Sequence, residues 1–263
     1  MRITAIAICL ILISGCESIV DFPDVSQSHS YPVIEAMLSD QEEVQMVRVS
    51  HTVPLNDSAS SKPTDNARVF VSSDTGDTVF YQYTSNGWYA SLPYRALPGK
   101  TYTLTVQTDS TVFQSSASLI SMHGIDSLYC KNIPGQNNLI FNVYLNAGPV
   151  DASTTKYYQA NIFRNDTILT RSTDIAIFND KYLTSLKGIK LPYTYADNDK
   201  VLVEVLTLSE EMYAYYLALT TNLFSISFSN MGYKTNPPQM FNKPAFGYFQ
   251  VSAVCKKQIV IHL

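Results

Sequence analysis

The stretch Pro98-Gly99-Lys100-Thr101-Tyr102-Thr103-Leu104-Thr105-Val106 decides the fold class of this chain. Pro98-Gly99 is a turn signal, and apolar and polar residues alternate strictly from Tyr102 to Val106. Successive side chains of a strand point to opposite faces, so this alternation puts the apolar ones on a single face. The stretch therefore predicts a half-buried β-strand that begins after a tight turn.

Short segments of the same kind surround this strand, and turn residues separate them. In the first half they comprise residues 32–38, 44–52, 67–73, 78–83, 88–92, 101–108 and 111–115. Asp74-Thr75-Gly76-Asp77 and Asn86-Gly87 are predicted hairpin turns, because Gly and Asn tolerate a positive φ. About seven strands within roughly 85 residues is the spacing of an immunoglobulin-like sandwich.

The second half repeats the strand pattern and adds one helix. Its strand candidates are residues 139–145, 157–164, 167–172, 201–206, 246–254 and 258–262. Ser209 can cap a helix, and Glu210 and Glu211 favour the positive end of its dipole.

We therefore predict a mainly β fold, in which an N-terminal immunoglobulin-like β-sandwich is followed by a second β-rich domain with one short helix. The sandwich is expected at residues 31–118 and a connector at 119–136. The C-terminal domain is expected at 137–263, with its helix near 209–220.

The N-terminus predicts export and a lipid anchor. Arg2 and the apolar run from Ile3 to Ile13 have the layout of a secretory signal, and a membrane span needs a longer run of about 20 residues. Ile13-Ser14-Gly15-Cys16 resembles the lipobox of bacterial lipoproteins, whose cysteine is lipidated and becomes the mature N-terminus. We expect a signal peptide at 1–15, lipidation of Cys16 and a flexible tether at 16–30. The alternative is an ordinary signal peptide with a chance cysteine.

The composition suits an exported β protein and makes nucleic acid an unexpected partner. Charged residues are 15% of the chain, whereas Tyr (18) and Phe (12) are abundant. Removal of residues 1–15 takes away only Arg2 among the charged side chains, which leaves 17 basic and 22 acidic ones. A net charge of about −5 offers no basic surface for a phosphate backbone.

Two cysteines remain after processing, because Cys9 leaves with the signal and Cys16 carries the lipid. Cys130 and Cys255 can form one disulfide in an oxidising compartment, provided that the first and last strands of the second domain lie side by side. Two separately buried free thiols are the alternative.

The sequence contains no recognised catalytic or metal-binding motif, so we predict no catalytic residues, no metal site and no cofactor. Asp74-Thr75-Gly76 matches the triplet of aspartic proteases, but those enzymes need two copies and only one exists here. A hairpin turn is the better interpretation. The four histidines are scattered and lack the spacing of zinc ligands.

Clustered tyrosines are candidates for a binding surface. Aromatic rings can stack on a sugar or anchor a protein partner, although packing within strands and core explains them more simply. The candidates are Tyr157, Tyr158, Tyr213, Tyr215 and Tyr216.

A series of landmarks in order along nearly the whole chain resembles the family catalogued as domain of unknown function 4249. These landmarks are Val33-Ile34-Glu35-Ala36, the residues 67–71, Gly87-Trp88-Tyr89, the residues 99–104, Ile125-Asp126-Ser127, Lys156-Tyr157-Tyr158, Phe178-Asn179-Asp180, the 209–219 helix, Asn236-Pro237-Pro238 and Phe246-Gly247-Tyr248-Phe249. The resemblance implies a lipoprotein from Gram-negative bacteria of the kind that pair lipoproteins with TonB-dependent outer-membrane receptors.

The resemblance and the lipobox together predict a non-enzymatic lipoprotein, anchored in the outer membrane through Cys16 on either its periplasmic or its surface face. Its expected role is to bind a ligand or to act as an accessory partner of a TonB-dependent transporter. The alternative is a surface or periplasmic hydrolase that acts on glycan or peptide with an unrecognised carboxylate site.

Overall fold

The computed structural model describes residues 30–54, 61–133, 140–148, 153–170, 175–181, 186–227 and 237–262. The predicted signal peptide and Cys16 lie outside these described residues. Within them the chain is mainly β with one helix, which confirms the predicted fold class. The elements, numbered in chain order, are β1 (Pro32–Ser39), β2 (Glu43–His51), β3 (Lys62–Pro63), β4 (Arg68–Ser73), β5 (Thr78–Ser85), β6 (Trp88–Tyr94), β7 (Thr101–Gln107), β8 (Val112–Ser118), β9 (Ile125–Asn132), β10 (Ile140–Ala147), β11 (Tyr157–Arg164), β12 (Thr167–Ile168), β13 (Ala176–Asn179), β14 (Ile189–Lys190), β15 (Tyr195–Ala196), β16 (Lys200–Leu208), α1 (Glu210–Ser227), β17 (Phe246–Ser252) and β18 (Val254–Val260).

The first sheet contains nine strands in the order β17-β1-β2-β6-β5-β4-β7-β8, with β3 paired to β2. Strand β5 divides between two neighbours, because residues 78–81 pair with β4 whereas residues 82–85 pair with β6. The sheet therefore bends into two layers around one apolar core. This arrangement is the predicted sandwich, but its layers are joined at β5, and the sheet nearly closes where β8 approaches β17.

The stretch that decides the fold class behaves as its alternation predicts. It lies in β7, where the side chains of Tyr102, Leu104 and Val106 are fully buried. The predicted hairpin Asn86-Gly87 joins β5 to β6 with positive φ angles of 48° and 79°.

Strand β17 lies in the first sheet, parallel to β1, although the sequence prediction assigned it to the C-terminal domain. The two strands approach closely at Gly247, whose φ is 101° and where a Cβ atom would collide with the carbonyl oxygen of Ile34. The first sheet is therefore completed by residues about two hundred positions further along the chain. Local sequence patterns carry no information about such a pairing.

The second unit is also a sandwich, and part of the predicted connector belongs to it. Residues 125–132 form β9, which pairs antiparallel with β10 along its length. Strands β9, β10, β14 and β15 form one sheet, and β11, β12, β13, β16 and β18 form the other. Their facing side chains make a second core, which includes Val143, Ile162 and Val203.

Helix α1 begins where the sequence predicts and extends further than predicted, to Ser227. The Ser209 hydroxyl accepts a hydrogen bond from the Met212 amide at 3.1 Å, as an N-cap residue does. The helix packs between the two sandwiches, because Met212, Tyr215 and Tyr216 share a cluster with side chains of β11, β13 and β17.

The two sandwiches are joined by a nearly continuous extended run from β17 through Ala253 to β18. The buried Ser252 hydroxyl donates to the Thr207 carbonyl oxygen at 2.6 Å, and the Ala253 amide donates to the Thr207 hydroxyl at 2.9 Å. Asp40 of the first sheet accepts the Val254 amide at 2.9 Å. This junction fixes the end of the first sheet against β16.

Candidate functional site

The solvent side of strands β17, β1, β2, β6 and β5 forms a face that we call the outer face. Residues that pair directly across neighbouring strands project to the same side of a sheet. Pairing of Glu35 with Tyr248 and with Arg48, and of Arg48 with Trp88, places these four residues in one row on this face.

Helix α1 covers the β17 end of the outer face. Tyr215 and Tyr216 lie against Tyr248, with ring centroids 5.7 Å and 5.9 Å from it, and both are buried. The Tyr216 hydroxyl donates to the Gln250 side-chain oxygen at 3.0 Å. Burial raises the pKa of Tyr215 to about 12 and that of Tyr216 well above its ordinary value, and the nearby Glu35 carboxylate adds to both shifts.

Beyond the helix, the same face exposes large apolar side chains. Leu92 is 82% exposed, Phe80 53% and Val44 49%, and Met46 and Trp88 are also open to solvent. Pairing of Gln82 with Ala90 and of Ala90 with Met46 puts β5, β6 and β2 in register there. Contiguous apolar surface of this kind marks an interaction site in soluble proteins, whereas single exposed apolar residues do not.

A shallow groove of about 380 Å³ runs across β1, β2 and β6 on the outer face. The Arg48 guanidinium lies 5.7 Å from the Trp88 ring centre, and one of its terminal nitrogens is 3.6 Å from the Glu35 carboxylate. The other terminal nitrogen donates to the Ser61 hydroxyl at 2.9 Å, and the buried Nε has no hydrogen-bond partner among the described residues. Trp, Arg and Met are enriched in the energetically important parts of protein interfaces.

A second opening, which we call the notch, lies between residues 78–80 of β5 and residues 91–94 of β6. Its volume is about 510 Å³, and Phe80, Leu92 and Tyr94 are among its lining residues. It exists because β5 pairs with β6 only from Gln82 onward, whereas the preceding residues 78–81 pair with β4 alone. Burial is the main reason why the pKa of Tyr94 rises to about 12, and the neighbouring Tyr102 contributes.

A β-bulge in β6 lies beside the notch, next to the exposed side chain of Leu92. Ala90 pairs with Met46 and Pro93 with Val44, so Ser91 and Leu92 together face the single residue Gln45. The Gln45 amide donates to the Ser91 hydroxyl at 3.0 Å, and its side chain donates to the Tyr94 carbonyl oxygen at 2.8 Å. The buried polar side chain of Gln45 therefore holds the bulge in place.

The five predicted tyrosines do not form one exposed surface. Tyr157 and Tyr213 are half-buried with ring centroids 4.8 Å apart, and Tyr215 and Tyr216 are buried under the helix. Tyr158 points to the opposite side of β11, where it is buried and stacks on Phe178 at 5.1 Å. Packing within strands and core, the simpler interpretation of the sequence, therefore accounts for most of these residues, and they do not form the candidate binding surface.

Cys130 and Cys255 are both free and partly buried in the second core, so the structure does not contain the predicted disulfide. The Ile125 amide donates to the Cys255 sulfur at 3.2 Å, so Cys255 of β18 lies beside the first residue of β9. Cys130 is five residues further along this strand, or about 16 Å at the usual rise per residue. A disulfide needs Cα atoms within about 7 Å of each other.

The Asp74-Thr75-Gly76 triplet that the sequence singles out has a structural role. The Asp74 carboxylate accepts the Thr101 amide at 3.1 Å, which ties the β4–β5 turn to β7. A hydrogen bond from Lys100 is the main cause that lowers the pKa of the neighbouring Asp77. The described part of the chain contains no cluster of three His, Cys, Asp or Glu side chains that could hold a metal ion.

Sequence reasoning did not find the outer face. Its signal was present in the segment of residues 88–92, where Trp88, Ala90 and Leu92 alternate with Tyr89 and Ser91. Both faces of that strand carry apolar residues, so alternation alone could not indicate which side stays uncovered.

Two joined β-sandwiches with an open apolar face define a mainly β protein. The chain belongs to the family described as Domain of unknown function (DUF4249), whose model matches residues 20–258. No curated protein matches the chain. In the described residues, no helix has the length and apolar character that crossing a membrane requires.

Solved structures show only a faint likeness to this chain. A DUF4785 family protein from Legionella pneumophila is 12% identical, with a TM-score of 0.25 over 69% of this chain and 54% of that one. The Yersinia pseudotuberculosis adhesin InvE is 15% identical, with a TM-score of 0.22 over 68% and 55% of the two chains. A Parabacteroides merdae β-glucuronidase is 9% identical, with a TM-score of 0.19 over 68% and 23%. The chain thus spans about half the length of the first two. Similarities at these TM-scores support no conclusion about its function.

Proposed function

We propose that this protein is a non-enzymatic lipoprotein of the outer membrane, which binds a ligand or partner as an accessory to a TonB-dependent transporter. The observation that carries the proposal is the uncovered part of the outer face. There Trp88, Arg48 and Met46 lie together beside an exposed Leu92. A folded domain ordinarily buries such a group, so its exposure favours a binding surface.

The expected lipid anchor at Cys16 would let the outer face contact a partner in the same membrane. The described chain starts beside the outer face, where the Tyr31 ring lies 5.6 Å from that of Phe246. A fully extended tether of residues 16–30 would span up to about 50 Å at roughly 3.3–3.6 Å per residue. An acylated Cys16 therefore leaves the sandwiches free to meet a partner in the same membrane, and two or more acyl chains make such an anchor lasting.

Two linked experiments test this function. Cys16→Ala should move the protein from washed outer membranes to the soluble fraction or leave it unprocessed, whereas Cys130→Ala should stay in the membrane. Tagged wild-type protein, purified from detergent-solubilised membranes, should bring a TonB-dependent transporter with it. Full retention of Cys16→Ala in washed outer membranes, or recovery of no outer-membrane protein, would contradict the proposal.

A further inference from the structure

The notch exposes backbone hydrogen-bonding groups on its β5 side. The Ser73 amide donates to the Asp77 carbonyl oxygen at 2.8 Å at the end of the β4–β5 hairpin. Backbone groups of successive residues in an antiparallel strand point alternately to its two sides. Val79 and Tyr81 therefore direct theirs to β4, and those of Thr78 and Phe80 point away from β4 into the notch.

The β6 side of the notch is a strand edge as well. Pro93 and Tyr94 pair with β2 on the far side of β6, and β5 pairs with β6 only from Gln82 onward. No described strand lies against residues 91–94 on the notch side. Exposed edges are usually blunted by charge, proline or a bulge, and here Pro93 and the bulge coincide with the exposed side chain of Leu92.

We propose that the notch binds an extended peptide segment as a strand added to the β5 edge at residues 78–80. The amide hydrogens and carbonyl oxygens of Thr78 and Phe80 point into the notch and complement a peptide backbone in extended form, whereas Pro93 and the bulge blunt the β6 edge. Alternate side chains of the peptide would contact Phe80 and Leu92, which border the opening. The β5 edge accommodates a segment of about three to five residues at the usual rise per residue.

This inference rests on the proposed binding function and specifies the form of the partner, which is an unstructured or strand-forming segment of a protein. A small ligand would leave the backbone groups of Thr78 and Phe80 along the β5 edge unused. The volume of about 510 Å³ is also within the range of functional binding sites.

The test uses a phage-displayed library of linear ten-residue peptides against the full chain in detergent. An enriched peptide is then synthesised in two forms, each with N-methyl groups on alternate residues, so that either one or the other backbone edge is blocked. In strand addition, blocking the edge that faces the protein should weaken binding by at least about tenfold, whereas blocking the other edge has little effect. Equal behaviour of the two forms, or no enriched peptide, would overturn the proposal.

Variants of the protein locate the binding. The double substitution of Phe80→Ser and Leu92→Ser should weaken the peptide by about tenfold or more. Ile168→Ser is the matched control, because Ile168 is 41% exposed on the second sandwich. An equal loss in the control would place the peptide elsewhere and overturn the assignment. Peptide binding and transporter recovery are separate readouts, so failure of one proposal is distinguishable from failure of the other.

Discussion

The two ends of the outer face have similar side chains but different surroundings. At the β17 end, Tyr248 is covered by Tyr215 and Tyr216 of helix α1, so its aromatic surface belongs to the folded core. At the β6 end, Trp88 and Leu92 belong to the same sheet face and remain open. Apolar residues on one face thus contribute to the core where the helix lies, and under the proposed function they serve recognition where it does not.

Separation of β17 from β1 should have the largest effect. Gly247→Ala places a Cβ against the Ile34 carbonyl oxygen at a positive φ, so the first sheet must lose its end strand and the covered part of the outer face with it. We expect the free energy of unfolding to fall by about 4 kcal/mol or more, as measured by urea denaturation.

Gly76→Ala is the control for this variant, because Gly76 also has a positive φ but no atom would lie within 4 Å of its added Cβ. Its cost should be about 1–2 kcal/mol from backbone strain alone. Equal destabilisation by the two variants would show that φ, and not the close approach of the strands, sets the cost.

Truncation of one aromatic residue at each end tests the comparison directly. Tyr216→Ala empties a buried site and removes the hydrogen bond to Gln250, so it should cost about 3 kcal/mol or more of unfolding free energy. Trp88→Ala should cost only about 1 kcal/mol, since its ring is partly exposed, and it should abolish binding of the partner. A result in which Trp88→Ala is the more destabilising variant would assign Trp88 to the core.

Alkaline pH should destabilise the packing of helix α1 against the β17 end of the outer face. The pKa of Tyr215 is about 12 in the folded protein, against about 10 in the unfolded chain. The folded state therefore favours the neutral phenol, so this contribution to stability is complete below pH 10 and is lost as the pH rises from 10 through 12. Urea denaturation between pH 8 and 11.5 should show this decline, and Tyr215→Phe should make it shallower. An unchanged slope would exclude Tyr215 as a contributor.

The smallest effect is expected at the helix cap. Ser209→Ala leaves the Met212 amide without its acceptor and should lower the unfolding free energy by about 1 kcal/mol, whereas Ser209→Asp should retain most of it. Thermal denaturation monitored by circular dichroism measures both. A cost above that of Tyr216→Ala would mean that Ser209 does more than cap the helix.

The features that sequence predicts well here are those set by neighbouring residues. The alternation from Tyr102 to Val106 predicts a strand with one buried face, and Asn86-Gly87 predicts a tight hairpin with positive φ angles. Ser209 and the two glutamates predict the start of helix α1. Each signal lies within a few residues of the structure that it specifies.

The features that sequence does not predict depend on distant partners. The parallel pairing of β1 with β17 joins residues about two hundred positions apart, and β9 lacks alternation because both of its sides are only partly buried. The five tyrosines are candidates both for a surface and for the core, because periodicity cannot distinguish an exposed aromatic residue from one covered by a helix. The bulge opposite Gln45 depends on the pairing of β6 with β2, which no short pattern indicates.

The central claim is that the open end of the outer face meets a partner, and photo-cross-linking in cells tests it most directly. The photoreactive residue p-benzoylphenylalanine is placed at Leu92 or, as a control, at Ile168, which is also exposed but lies on the second sandwich. Irradiation should link position 92 to an outer-membrane protein and leave position 168 without that product. The same product from both positions, or from position 168 alone, would contradict the account.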